Sequence, residues 1–221
     1  MFDYNKLKDL YIPEEFGVDD YNEPTDSIDI VFDQVPATVI TKWGVTQFVI
    51  IDPDTDNKKV AKIPFNGYFV TEEEYEGDPD AVYVFQKYRT NYCDLSYELY
   101  SEAEEKGLND ILAEFDYLGI TSNGIPIYLQ EKVTDMDESD FHYTITPESR
   151  KKYNELGSKN LSWYHFPTEW MIAAIDYYGV SFMADFIMFC EVHNLNDFHE
   201  GNVGWREDGS PCVLDWAGYN E

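Results

Sequence analysis

The stretch "PTEWMIAAIDYYGVSFMADFIMFCEVHNL", Pro167–Leu195, constrains the fold more than any other part of the chain. It is long and strongly apolar, so it reads as a buried helix or helix pair, with Gly179 as the point where it kinks or splits. A helix that is apolar all round needs protein on every side. Just upstream, "TPESRKKYNELG" opens with a Thr/Pro/Glu start signal and predicts another helix. Directly downstream come the loop "NDFHEGN" and a short hairpin, "NVGWR", the turn "EDGS", then "PCVLDW". The second half of the chain is therefore expected to be mainly helical, closing on a loop and a hairpin.

The first half has a different period. From Ala37, "ATVITKW", "VTQFVIID" and "KVAKIPF" are β-branched, partly alternating runs separated by Gly44 and by the turn-rich "PDTDNK". They predict an antiparallel meander. "TEEEYEGDPD" reads as an acidic loop, and Ala81–Lys106 as mostly helical, with Gly107 as its C-cap. "ILAEFDYLGI", the turn "TSNG" and "IPIYLQEKV" then predict a hairpin. Five strands with one helix between the third and the fourth make an α+β lobe. Residues 1–36 read as an acidic N-terminal extension with scattered apolar positions; the two Pro and the Gly of "LKDLYIPEEFGVDDYNEPTDS" suggest a short helix and then an extended arm.

Charge narrows the partners. Asp and Glu total 44 against 15 Lys and Arg, a formal net charge of -29. Such a surface repels free nucleic acid and anionic membrane, and favours basic proteins or metal cations. Solubility alone is another reason for it. Apolar residues make up 43% and aromatics 17%, enough for a sizeable core. Cys93, Cys190 and Cys212 lack metal-type spacing and read as reduced thiols. His193 and His199 lack further ligands at zinc spacing. The start of the sequence has no apolar signal core, and no run approaches 18 apolar residues, so a soluble cytoplasmic protein is expected.

The loop carries the chemistry. Asp197 and Asn202 stand in a D-x-x-x-x-N pattern, and Asp215 follows thirteen residues after Asn202 in "VLDWAG". The same pattern occurs at Asp52/Asn57 and Asp215/Asn220, and Asp and Asn also suit ordinary turns. What distinguishes Asp197 and Asn202 is context: a buried helix before them, then strand, turn, strand and Asp215. His199 is expected to bond to nearby backbone.

In this context "DFHEGN" and "LDWAG" resemble the protein-kinase-like fold, and most closely its atypical members, including bacteriophage-encoded kinases. Residues 37–133 would be the N-lobe, a five-stranded antiparallel sheet with one helix, and 134–221 a truncated, mainly helical C-lobe. The C-lobe is expected to be truncated because the sequence runs only to Glu221. By the resemblance, Asp197 is the catalytic carboxylate, and Asn202 and Asp215 hold magnesium. "KKVAKIP" resembles the third N-lobe strand, making Lys62 the phosphate-binding Lys. Glu98 is its expected partner, with Glu102 one turn on as the competitor. Gly44 stands where a glycine-rich loop is expected, and the backbone from Glu131 to Val133 would meet adenine.

The resemblance implies an atypical minimal kinase. It would transfer the γ-phosphoryl group of ATP, with Mg2+, to a protein Ser or Thr, its own included, or to a host protein if the chain is phage-encoded. The departures are the sparse glycine loop and Asn196 in place of Arg before the catalytic Asp. They leave an alternative open: an inactive kinase-like scaffold whose acidic surface mimics DNA and inhibits a host nucleic-acid-binding protein.

Overall fold

The computed structural model describes residues 1–19, 23–71, 83–157 and 166–216. In chain order the elements are a 3-10 turn Tyr4–Asp9, β1 (Gly17–Asp19), α1 (Asp26–Phe32), β2 (Ile40–Trp43), β3 (Gln47–Ile51), β4 (Lys59–Pro64), β5 (Gly67–Thr71), β6 (Tyr83–Lys87) and α2 (Tyr92–Glu105). There follow a 3-10 turn Asn109–Ile111, β7 (Phe115–Ile120), β8 (Pro126–Glu131), β9 (Thr134–Asp135), α3 (Pro147–Gly157), α4 (Thr168–Tyr178), α5 (Val180–Val192), β10 (Val203–Trp205) and β11 (Pro211–Val213). The chain is a mixed α+β protein that divides into two compact units. The first is Met1–Tyr97 with Phe115–Glu131, and the second is Glu98–Glu114 with Lys132–Glu221.

The first unit is built on a five-stranded antiparallel sheet in the order β2-β3-β4-β8-β7. These are the five strands expected from the sequence. Both of its faces are covered, which explains the nearly continuous burial of Val60–Pro64 on β4. One face, with Phe48, Ile50, Ala61, Ile63 and Ile127, packs on Tyr4, Leu7, Leu10, Ile12, Phe16, Ile28 and Val31. Residues 1–36 are thus not an appendage set apart from the sheet. Their scattered apolar side chains supply half of its core, and the domain boundary expected at residue 37 falls inside one unit. Pairing fastens this arm: the Tyr4 hydroxyl donates to the Lys59 carbonyl at 2.8 Å, and the Phe2 amide donates to Asp52.

A smaller sheet, β1-β5-β6, joins the same unit, with β1 parallel to β5. This corrects the expected helix from Ala81: β6 is a strand paired with β5, and the helix begins only at Tyr92. Most of the acidic loop expected at Thr71–Asp80 lies outside the described residues. The first turns of α2 lie on the second face of the five-stranded sheet. There the Cys93 thiol meets Gln47 at 3.5 Å, and Tyr97 packs on the rings of Tyr117 and Tyr128.

The second unit holds the apolar stretch. It is split as expected, into α4 and α5, because Gly179 adopts φ +91°, a region closed to most side chains. Trp170–Ile175 on α4, with Met183, Phe186 and Ile187 on α5, form its interior. A three-stranded sheet, β11-β10-β9, follows the loop. Its third strand, Thr134–Asp135, comes from a stretch that carries no strand signal. It can lie there because Gly204 has no side chain: an added Cβ would sit 2.0 Å from the Thr134 oxygen. No described helix is long and apolar enough to cross a membrane. The three cysteines are buried and form no disulfide.

Candidate functional site

The loop after α5 is positioned from both ends. The helix closes on Asn194 in the left-handed region (φ 54°), with Leu195 donating back to the Cys190 carbonyl at 2.8 Å. Phe198 then turns inward, 2% exposed, and stacks on Phe166 with ring centroids 4.2 Å apart. Phe166 stacks in turn on Trp170, whose indole N–H donates to the Gly204 carbonyl. The aromatic ladder therefore ties α4, the loop and β10 together, and it leaves the neighbours of Phe198 facing outward. Phe166 thus serves packing; Trp163, Tyr164 and His165, which precede it in the sequence, lie outside the described residues.

Within the loop the polar groups have one arrangement. The Asn202 side-chain amide donates to the Asp197 carbonyl at 2.8 Å. The Asn202 carbonyl accepts from the Leu214 amide at 2.8 Å and from the Asp215 amide at 3.3 Å. The three residues singled out in sequence are thus brought into one assembly: Asp197 and Asn202 close the loop, and Asn202 holds the start of the Asp215 segment. The Gly201 amide donates to His199 Nδ1 at 3.0 Å, the backbone role expected for this His. That bond leaves the proton of the neutral ring on Nε2, which stands 4.0 Å from Asp197 Oδ1.

The same spacing is used differently at Asp52 and Asn57. There the Asn57 amide donates to the Asp52 carboxylate itself at 3.0 Å, and the amides of Phe2 and Asp54 donate to it as well. Its carboxyl is held at about 2 by those donors, the Phe2 amide first. That carboxylate is consumed by structure. Asp197 differs, because Asn202 bonds to its backbone and the side chain is left 50% exposed. An identical pattern thus yields a closed turn in one place and an available carboxylate in the other.

Lys62 belongs to the first unit. Its residue is 7% exposed, and its ammonium lies 5.9 Å from the centroid of the Phe115 ring. Among the described residues no carboxylate pairs with it. An ammonium with no carboxylate beside it can take an anionic ligand. Lys59, one face over, is paired with Asp116 at 3.0 Å.

Glu98 lies on the exposed side of α2. Glu102 lies 3.1 Å from His193 and 3.4 Å from Lys106; desolvation raises its carboxyl, and the bonds to these two neighbours outweigh that and lower it. Within the first unit, the α2 carboxylate that meets the sheet is Asp94, which accepts a hydrogen bond from the Tyr128 hydroxyl, while burial and this bond push the phenol well up. Sequence reasoning passed over Asp94 because it sits in the first helical turn, where acids are common as dipole partners. Gly44 makes the turn between β2 and β3, and a Cβ there would meet nothing within 4 Å. Glu131 ends β8 half-buried, and Val133 follows in the link to β9. Among the described residues no group of three or more His, Cys, Asp or Glu could hold a metal ion. A cation at the loop would need Asn202, Asp215 and oxygens from a ligand.

No protein-family model matches the chain, and no curated protein matches it. Among solved structures it is similar to the Rio2 kinase of Chaetomium thermophilum, described as an ADP/Mg2+-phosphoaspartate complex, with 12% identity over 81% of this chain and a TM-score of 0.37. The chain spans about half the length of that structure, 48% of it. A likeness this distant establishes neither fold family nor chemistry.

Proposed function

We propose that the chain is a minimal, atypical kinase that moves the γ-phosphoryl group of ATP to a Ser or Thr hydroxyl of a protein, its own included. The observation that carries this reading is the tie of Asn202. It bonds to the backbone of Asp197 and not to its carboxylate, and its main-chain carbonyl accepts from the Asp215 amide, so the loop with Asp197 and Asn202 is tied to the segment that carries Asp215. Phosphoryl transfer asks mainly for positioning and for neutralised charge. Asp197 orients the attacking hydroxyl and takes its proton. The Asn202 amide oxygen and the Asp215 carboxylate are hard ligands of the type magnesium takes, one or two side chains completed by phosphate oxygens. Magnesium, when bound, offsets the charge of those oxygens. By itself, the first unit offers Lys62 as a cation for phosphate, with the Gly44 turn and the backbone that begins at Glu131 as the further nucleotide contacts of this proposal. A basic substrate, such as a host protein in the cytoplasm for a phage-encoded enzyme, suits a chain of net charge -29.

The test is incubation of the purified protein with magnesium and γ-labelled ATP, alone and with lysate. The expected result is a labelled protein band that disappears in Asp197→Ala and Asp215→Ala, with magnesium-dependent ATP binding lost only in the latter. Absence of both labelling and binding in the wild-type protein overturns the reading.

The charge itself favours a second reading: a kinase-like scaffold that occupies the basic site of a host nucleic-acid-binding protein. It requires a stoichiometric complex that weakens steeply with salt and is indifferent to Asp197→Ala.

A further inference from the structure

The second unit holds a cavity of about 410 Å3, and Asp197, Asn202 and Asp215 do not line it. Three pieces of chain build it. Gly179 ends α4, so the last turn of that helix brings Tyr177 and Tyr178 to the cavity. The Tyr178 hydroxyl meets the carbonyls of Pro211 and Asp110 at 2.7 and 3.0 Å, which fastens β11 and the 3-10 turn Asn109–Ile111 to the helix end. The Arg206 guanidinium donates to the Leu112 carbonyl at 2.8 Å and to the Tyr178 hydroxyl at 3.3 Å, so these donors serve the frame. Tyr177 is 60% exposed, its ring set edge-on to that of Tyr178 with centroids 4.8 Å apart. Tyr100 brings a further ring from α2. Asp110, Glu114 and Asp208 line the same cavity, so three carboxylates against one guanidinium leave two negative charges there. The bonds from Ser210 hold the Asp208 carboxyl below its ordinary value.

We infer that this cavity takes an arginine side chain of a partner protein, held between the Tyr177 ring and the carboxylates beside it. Aromatic faces attract cations. A guanidinium is the cation that also stacks on a ring and pairs in plane with carboxylates. An anion is disfavoured, because acids outnumber the one base and two donors of that base are spent on Leu112 and Tyr178. A metal ion is disfavoured too, since among the described residues no three acids gather closely enough to hold one. What fits is an extended organic cation, and the volume suits one long side chain. The net charge of -29 draws a basic partner over long range without choosing a place on the surface. The cavity supplies that place. The inference stands on binding alone and holds whether the chain transfers phosphate or occupies a basic site.

The experiment titrates the isotope-labelled full chain with the peptide acetyl-Gly-Ser-Arg-Ser-Gly-amide at physiological ionic strength, with the neutral citrulline peptide as its control. Amide shifts by NMR give both the place and the Kd. Saturable shifts are expected at Tyr177, Tyr178 and the turn Arg206–Ser210 with the Arg peptide, and none with citrulline. Tyr177→Ala and Asp110→Asn are each expected to weaken binding about threefold, the scale of an exposed cation–π contact or ion pair. Tyr177→Phe keeps the ring and is expected to keep the wild-type Kd. Asp29→Asn removes the same charge from α1 in the first unit and is expected to change nothing. Weakening by Asp29→Asn equal to that by Asp110→Asn would reduce the effect to the general field and overturn the inference. So would equal binding of the citrulline peptide, or no shifts at the cavity with the Arg peptide. Spermidine carries ammonium groups and no guanidinium plane; tighter binding of spermidine than of the peptide at these residues overturns the assignment to a protein side chain. Melting curves confirm that each variant is folded, and if Tyr177→Ala is not, the comparison of Asp110→Asn with Asp29→Asn decides.

Discussion

The side-chain amide of Asn202 donates to the carbonyl of Asp197, five residues earlier, at 2.8 Å. It closes the loop through the backbone and spares the Asp197 carboxylate. Replacing Asn202 by Ala removes that bond but leaves the bonds from Leu214 and Asp215 to its main-chain carbonyl. The expected stability loss is small, about 1 kcal/mol. Phosphoryl transfer is expected to fall by roughly two orders of magnitude, as when a preorganised polar group is lost. Denaturant melts and single-turnover labelling check the two effects separately. A variant with full transfer activity would remove Asn202 from the site.

Phe198 is the anchor beneath the loop, buried and stacked on Phe166. Phe198→Ala leaves a cavity where the stack continued and is expected to cost about 3–5 kcal/mol. Phe198→Leu keeps most of the volume and costs less. Urea unfolding monitored by tryptophan fluorescence gives both values. Equal stabilities for the two variants would contradict the packing account.

Asp52 sets an acid limit on the N-terminal arm. Its folded pKa, about 2, lies below the ordinary Asp value because the Phe2 amide, then the Asn57 and Asp54 donors, hold the charged form. A depressed carboxyl stabilises the fold above its unfolded pKa, near 3.9, and that contribution is lost as pH falls through about 2. The wild-type melting temperature is therefore expected to drop more steeply between about pH 4 and pH 2 than that of Asp52→Asn. Above that window the variant should be the less stable of the two. Parallel slopes would show that this carboxylate does not link folding to pH.

Gly204 permits the approach of β9 to β10. An added methyl would sit 2.0 Å from the Thr134 oxygen, so the strand must move. Gly204→Ala is expected to detach Thr134–Asp135, and with it the bonds from the Met136 amide to the carbonyls of Glu200 and Val203. Hydrogen exchange at Met136 is the direct measurement: faster exchange is expected, and unchanged protection would refute the steric argument.

Local signals accounted for much of the architecture. The split at Gly179, helices α3 to α5, the closing hairpin and the five strands of the larger sheet all follow from period and from Gly, Pro and Asp punctuation along short stretches. The loop was legible for the same reason, because Asp197, Asn202 and Asp215 are close in sequence and separated only by a hairpin. The pairing of β5 with β6 was not legible. An acidic stretch divides those strands, and the other neighbour of β5, β1, comes from far upstream. Asp94 was not legible either, since nothing in "YCDLSYEL" tells which acid turns toward Tyr128.

Sequence alone determined helices α3 to α5, the turns and the loop with Asp197 and Asn202, because each is written in residues within a few turns of chain. Tertiary structure alone decided that the N-terminal residues complete a sheet's core, that one D-x-x-x-x-N turn consumes its carboxylate while the other spares it, and that Lys62 stands beside Tyr128 with no carboxylate paired to it among the described residues. Those outcomes depend on which distant surfaces meet. Burial and hydrogen bonding choose among partners that the order of residues leaves equivalent.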